Sequence, residues 1–153
     1  MNVSVTIDGP KGTKEVIQGR VDWTLNHNVA KPSSIFIVIK AKKLGSSLTG
    51  LPQLLVYIAA VLKYRSDRVN QSVFGMLSDS GTFQFAFLDK TRKFYTSATF
   101  RWALQQSEIL SYVDAILLDA IYSSPATTPI MRTTNNTKLP TLFKRAMEFR
   151  QST

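Results

Sequence analysis

The chain contains no cysteine, so neither disulfides nor thiolate-held metals are open to it. That absence fits a reducing, intracellular setting, with the nucleus among the candidates. Its single histidine, His27, excludes two-histidine metal sites and reads as a loop residue. Acidic residues are scarce: 10 Asp and Glu stand against 19 Lys and Arg, a net charge of +9 and a pI near 10.0. Such a surplus favours polyanions, nucleic acid first and acidic membrane surfaces second; a solvated basic surface is the other reading. Long apolar runs are lacking. The longest, residues 51–62, is interrupted by Pro52, Gln53 and Tyr57 and is too short to cross a bilayer. Residues 1–8 alternate in polarity and do not form the apolar core of a signal peptide. A glycine-rich phosphate loop is absent as well, because residues 9–13 do not have the required spacing.

What is present suits a globular domain. The 153 residues are 44% hydrophobic, enough for a real core. Residues 3–7 and 15–25 alternate as strands do, around a dense turn signal at 8–12. They predict a hairpin whose second strand carries Gly19-Arg20-Val21-Asp22-Trp23. After a polar loop at 26–34, residues 35–39 form a continuous apolar run, the mark of a strand buried on both faces. Lys40-Ala41-Lys42-Lys43 follows directly.

Residues 47–63 predict a helix, with Leu51, Leu54, Leu55, Ile58 and Leu62 as its apolar stripe and Pro52 in its first turn. Residues 73–77 and 82–88 predict a second hairpin around a turn at 78–81, and 93–99 a further strand. Helical periodicity over 100–121 predicts a core face of Trp102, Leu104, Ile109, Val113, Ile116, Leu117 and Ala120. The organisation is a core domain over 1–122, a Ser-, Thr- and Pro-rich linker over 123–140, and a basic helix within 141–153. The fold class is α/β or α+β, a mixed sheet flanked by helices.

Three segments carry the chemistry: Gly19-Arg20-Val21-Asp22, then Lys40-Ala41-Lys42, then Gln53 to Tyr57. In this order they resemble the RecB-like branch of the PD-(D/E)XK nuclease superfamily, whose members carry a G-[RK]-x-D strand, a [DE]-x-K strand and a Q-x-x-x-Y helix. The region is also similar to nuclease-like domains of fungal and oomycete proteins, among them Crinkler-type effectors and spore-killing proteins. The resemblance spans residues 15–105 and implies a restriction-endonuclease-like fold and phosphodiester hydrolysis, of DNA before RNA. It implies Mg²⁺ or Mn²⁺ held by Asp22 and a second acid, Lys42 as the catalytic lysine, and Gln53 and Tyr57 at the site.

Such a site has a physical logic. Carboxylates at adjacent strand ends hold a divalent ion, which lowers the pKa of bound water. A lysine two residues past the second acid shares its face, because strand side chains alternate with period two, and can stabilise developing negative charge. This sequence departs from the pattern at position 40, where Lys replaces the metal-binding acid. At about 4 Å and an effective dielectric near 20, two unit charges interact by roughly 4 kcal/mol, and a divalent ion by about twice that. Impaired metal binding and little or no cleavage are the expectation. Two origins are open: a substitution introduced into an active nuclease, or natural loss of catalysis with binding retained. A second departure concerns the acidic helix that the family places before the first strand: the sequence here opens on a hairpin, so that helix is missing or was trimmed away.

Arg20, Lys43, Arg65, Arg68, Lys90, Arg92, Lys93 and Arg101 are candidate phosphate contacts. Their other reading, like that of Lys40 and Lys42, is a solvated charge run. Phe83, Phe85, Phe87, Phe94 and Tyr95 fit either base stacking or core packing. Rival functions are a non-catalytic nucleic-acid-binding module and an effector-type domain docking on a host protein; a homodimer is a further partner expectation.

Overall fold

The structure, a computed structural model, describes residues 2–8, 13–26, 31–45, 47–65, 72–89 and 91–122. The expected linker and basic terminal helix, His27, Arg68 and Lys90 lie outside these residues. Strands β1 (Asn2–Asp8) and β2 (Lys14–Arg20) pair antiparallel as a separate two-stranded hairpin, from Asn2 opposite Arg20 to Asp8 opposite Lys14.

The single strand expected over 15–25 is divided. After β2 the chain bends at Val21 and Asp22, and β3 (Trp23–Asn26) joins a different sheet, antiparallel to β4 (Ile35–Ala41). The break follows from what those two residues bind. Val21 turns into the apolar core, and Asp22 is captured by the end of β4.

The larger sheet is mixed and six-stranded. Its order is β3, β4, β5 (Val73–Ser78), β6 (Thr82–Leu88), β7 (Phe94–Thr96), with β8 (Phe100–Arg101) also pairing with β6. Only β4 and β5 run parallel, joined through helix α1 (Leu51–Tyr64); the other ladders are antiparallel. The apolar run of residues 35–38 is buried, as a central strand requires.

A register shift between Leu25 and Asn26 leaves Phe36 as an extra residue in β4. This bulge sends Ile35 and Val38 to the α1 layer, and Phe36 and Ile37 to the opposite layer. The α1 layer gathers Leu54, Tyr57, Ile58, Val61, Val73 and Leu77. Helix and sheet approach closely at Gly75, where a Cβ would lie 2.4 Å from Ile58.

The other layer is built on α2 (Gln106–Tyr122), whose Ile109, Tyr112, Ile116 and Ala120 are buried. Phe85 stacks on Tyr112 with centroids 4.9 Å apart, and Phe74 on Phe87 at 4.8 Å. Phe83, Phe85, Phe87 and Tyr95 therefore pack in this core, and Phe94 packs in the α1 layer. The helix expected from residue 100 starts at Gln106 instead. Phe100 and Arg101 pair with Phe83 and Thr82, and the Trp102 N–H donates to the Gly81 carbonyl. Trp102 and Leu104 are consequently exposed, and Leu117 is exposed outside the buried face of α2. Among the described residues no helix is long and apolar enough to cross a membrane.

Candidate functional site

Strand period and helix period bring five of the expected residues together at the β3–β4 edge. Lys40 stands at the end of β4 and Lys42 just past it. The Lys42 N–H donates to the Ser78 carbonyl at 2.8 Å and so prolongs the parallel ladder. Lys40 Nζ donates to Asp22 Oδ1 at 3.2 Å and lies 3.0 Å from Oδ2. The Ala41 N–H donates to the same Oδ2 at 2.9 Å. The Lys40 side chain is 12% exposed and that of Asp22 31%. The ammonium also lies 5.9 Å from the Tyr57 ring centroid, within cation–π reach.

A second chain of hydrogen bonds starts from Lys42. Its Nζ donates to Gln53 Oε1 at 3.0 Å, and Gln53 Nε2 donates to the Tyr57 hydroxyl at 2.7 Å. Gln53 and Tyr57 are one helical turn apart on α1, which is why their side chains meet. Tyr57 is 2% exposed, its ring in the core and its hydroxyl at the site. Gly19 permits this: a Cβ there would lie 2.3 Å from the Tyr57 hydroxyl oxygen, so the hairpin can approach α1 only without one.

Burial pushes the Asp22 carboxyl upward, but the Lys40 hydrogen bond, the Ala41 N–H and the charges of Lys40 and Lys42 outweigh it. The group is held below the ordinary aspartate value. The residues present do not fit a divalent ion. Asp22 is the one carboxylate in the cluster, and an ammonium already bridges its oxygens. Among the described residues no group of three or more His, Cys, Asp or Glu stands close enough to hold a metal. The cluster sums to one excess positive charge, Lys40 and Lys42 against Asp22, and presents ammonium and amide donors suited to a phosphate oxygen.

The outer basic residues divide. Arg20 ends β2 just before Asp22, and Lys43 follows Lys42; both are exposed near the cluster. An open cleft of about 510 Å³ on the hairpin is lined by Asn2, Ser4, Gln18, Gly19 and Arg20. Arg101 is exposed opposite Thr82, at the sheet end that carries Lys42. Arg92 and Lys93 are exposed in the β6–β7 turn, at the opposite end of the sheet, and do not join the site. Arg65 corrects the sequence reading. It is buried, and its guanidinium donates to the Ile35 carbonyl at the start of β4, so it serves the core and not a phosphate.

Sequence reasoning read Asp79 only as a turn residue. Its carboxylate is buried and accepts from the Thr82 hydroxyl and N–H, both at 2.8 Å, from the Gly81 N–H at 3.2 Å, and from the Gly45 N–H at 2.9 Å. The Thr82 hydroxyl bond is the largest influence on its pKa. Burial opposes it, the Thr82, Gly45 and Gly81 N–H groups reinforce it, and the pKa is lowered to about 2. Asp79 thereby ties the segment after Lys42 and Lys43 to the β5–β6 turn. The Asp-Ser-Gly sequence marked the turn, but the tie to Gly45 is not a local feature. No family model, no curated protein and no solved structure matches the chain.

Proposed function

We propose that the chain is a nuclease-type domain that binds nucleic acid, DNA before RNA, at the β3–β4 edge and does not cut it. The observation that carries the reading is the Lys40 ammonium bridging the Asp22 carboxylate inside the Lys42, Gln53 and Tyr57 cluster. The three segments on which the nuclease resemblance rests meet at one edge, and this supports a common origin for them. The carboxylate that would serve a hydrolytic site is neutralised by an internal cation, and the cluster carries net positive charge. Such an edge attracts a phosphate backbone and lacks a carboxylate available to organise an attacking water.

Salt-dependent binding tests the reading. Affinity for DNA falls as salt rises, and Lys42→Ala lowers the slope of log affinity against log salt by about 1, the loss of one phosphate contact. DNA incubated with the protein and Mg²⁺ or Mn²⁺ stays intact. Absence of DNA and RNA binding at low salt would sink the proposal and favour a protein-docking role.

A further inference from the structure

Among the described residues strand β3 is an edge strand, and one of its faces is left uncovered. Trp23 is 69% exposed and Leu25 41%, whereas the alternating Thr24 and Asn26 are half-buried. Trp23 is far more exposed than the other tryptophan, Trp102, whose ring lies 5.7 Å from Phe83. The pairing explains where the indole sits. Trp23 opposes Ile39, and Ile39 opposes Met76, so the three form a row on the α2 side of the sheet. The buried sheet residues of that layer are Phe36, Ile37, Phe74, Phe85 and Phe100; Ile39 and Met76 are only partly covered. The helix therefore leaves the β3 margin of its layer open.

The same margin is cationic on its other side. Trp23 directly follows Asp22, and its partner Ile39 directly precedes Lys40. Arg20, Lys40 and Lys42 lie within a few residues of this point, and the chain carries +9 in all. One strand thus separates a phosphate-attracting group of side chains from an open aromatic face. A single strand of nucleic acid crossing this edge can place phosphates on the lysines and turn a base onto the indole. A duplex cannot, because its bases are already stacked and paired. A second copy of the chain is a poorer occupant, since it would bring another +9 to the same edge.

We infer that Trp23 is a stacking platform for an unpaired base of single-stranded nucleic acid. This inference rests on the nucleic-acid-binding reading above and narrows it to a substrate form. The test uses the full chain carrying Trp102→Phe, which leaves Trp23 as the only tryptophan. It is titrated with a short oligothymidylate, an abasic oligomer of equal length, and a duplex.

The oligothymidylate quenches Trp23 emission, and the abasic oligomer and duplex do so far less. Trp23→Ala, made in the otherwise unchanged chain, weakens oligothymidylate binding roughly 5- to 160-fold, the span that base–aromatic stacking gives, and leaves duplex affinity within about twofold. Trp23→Phe restores most of the loss, which separates stacking from misfolding. Equal oligothymidylate affinity for Trp23→Ala and the unsubstituted chain overturns the inference while the binding reading stands. Failure of all three nucleic acids to bind at low salt overturns both. A concentration-dependent emission change without nucleic acid, together with a dimeric mass, assigns the face to a second copy and also overturns it.

Discussion

The Lys40 ammonium bridges both oxygens of the Asp22 carboxylate, 3.0 Å from one and 3.2 Å from the other, where β3 enters its ladder with β4. The cation is supplied by the chain itself, two residues before Lys42, so Asp22 is neutralised without any ligand. The electrostatics of the whole edge follow from this pair.

Removing the ammonium should therefore release Asp22. In Lys40→Ala the Asp22 pKa rises toward the ordinary value of about 3.9, as a carboxyl-resolved NMR titration of both proteins would read. With Lys40 in place, Asp22 is held below its unfolded value. Its contribution to stability is present above the unfolded pKa and disappears as pH falls through the folded one. Because the pair is partly exposed, Lys40→Ala should lower stability at neutral pH by only about 0.2–1 kcal/mol. An unchanged Asp22 titration would show that the pair does not form in solution.

Asp79 gives an independent pH signature. Its folded pKa is about 2, so its stabilisation is complete above the unfolded value of about 3.9 and is lost as pH falls through the folded one. Asp79→Asn should melt lower than the unsubstituted chain at neutral pH, because the amide cannot accept from Thr82, Gly81 and Gly45 together. The difference in melting temperature should shrink as pH is taken from 4 to 2, pH values of about one unit on either side of the midpoint between the two pKa values. A difference independent of pH would mean that the carboxylate charge is not what Asp79 contributes.

Gly19 can be tested by adding one methyl group. Its Cβ would fall 2.3 Å from the Tyr57 hydroxyl oxygen and 2.4 Å from Cε1, and Tyr57 is too deeply buried to swing aside. Gly19→Ala should cost about 1–3 kcal/mol in chemical denaturation, the usual penalty for overpacking. It should also weaken DNA binding, since Tyr57 anchors Gln53 and Gln53 anchors Lys42. Full stability in Gly19→Ala would place the hairpin farther from α1 than described.

Much of this site was legible because its spacings are local. Lys40 and Lys42 share a face through strand alternation beyond the β4 bulge, and Gln53 and Tyr57 meet through the helical turn. The mixed α+β class was legible from the same periodicities. What escaped depends on partners distant in sequence. The strand expected over 15–25 breaks because its two halves pair with different strands. Trp102 and Leu104 mimic a helical stripe, yet the pairing of Phe100 with Phe83 holds that segment extended. Arg65 looks like a surface cation at a helix end until its carbonyl partner, Ile35, is known. Arg92 and Lys93 belong to the far end of the sheet because of strand direction, which composition does not record.

The most direct test of the account is plasmid nicking by Lys40→Glu. That change removes the internal cation and places a second carboxylate beside Asp22. The expected result is that the chain with Lys40 in place leaves supercoiled DNA intact with Mg²⁺ or Mn²⁺, that Lys40→Glu nicks it only with the metal, and that Asp22→Ala added to Lys40→Glu abolishes nicking. A folded Lys40→Glu protein that neither binds Mn²⁺ nor nicks DNA would contradict it.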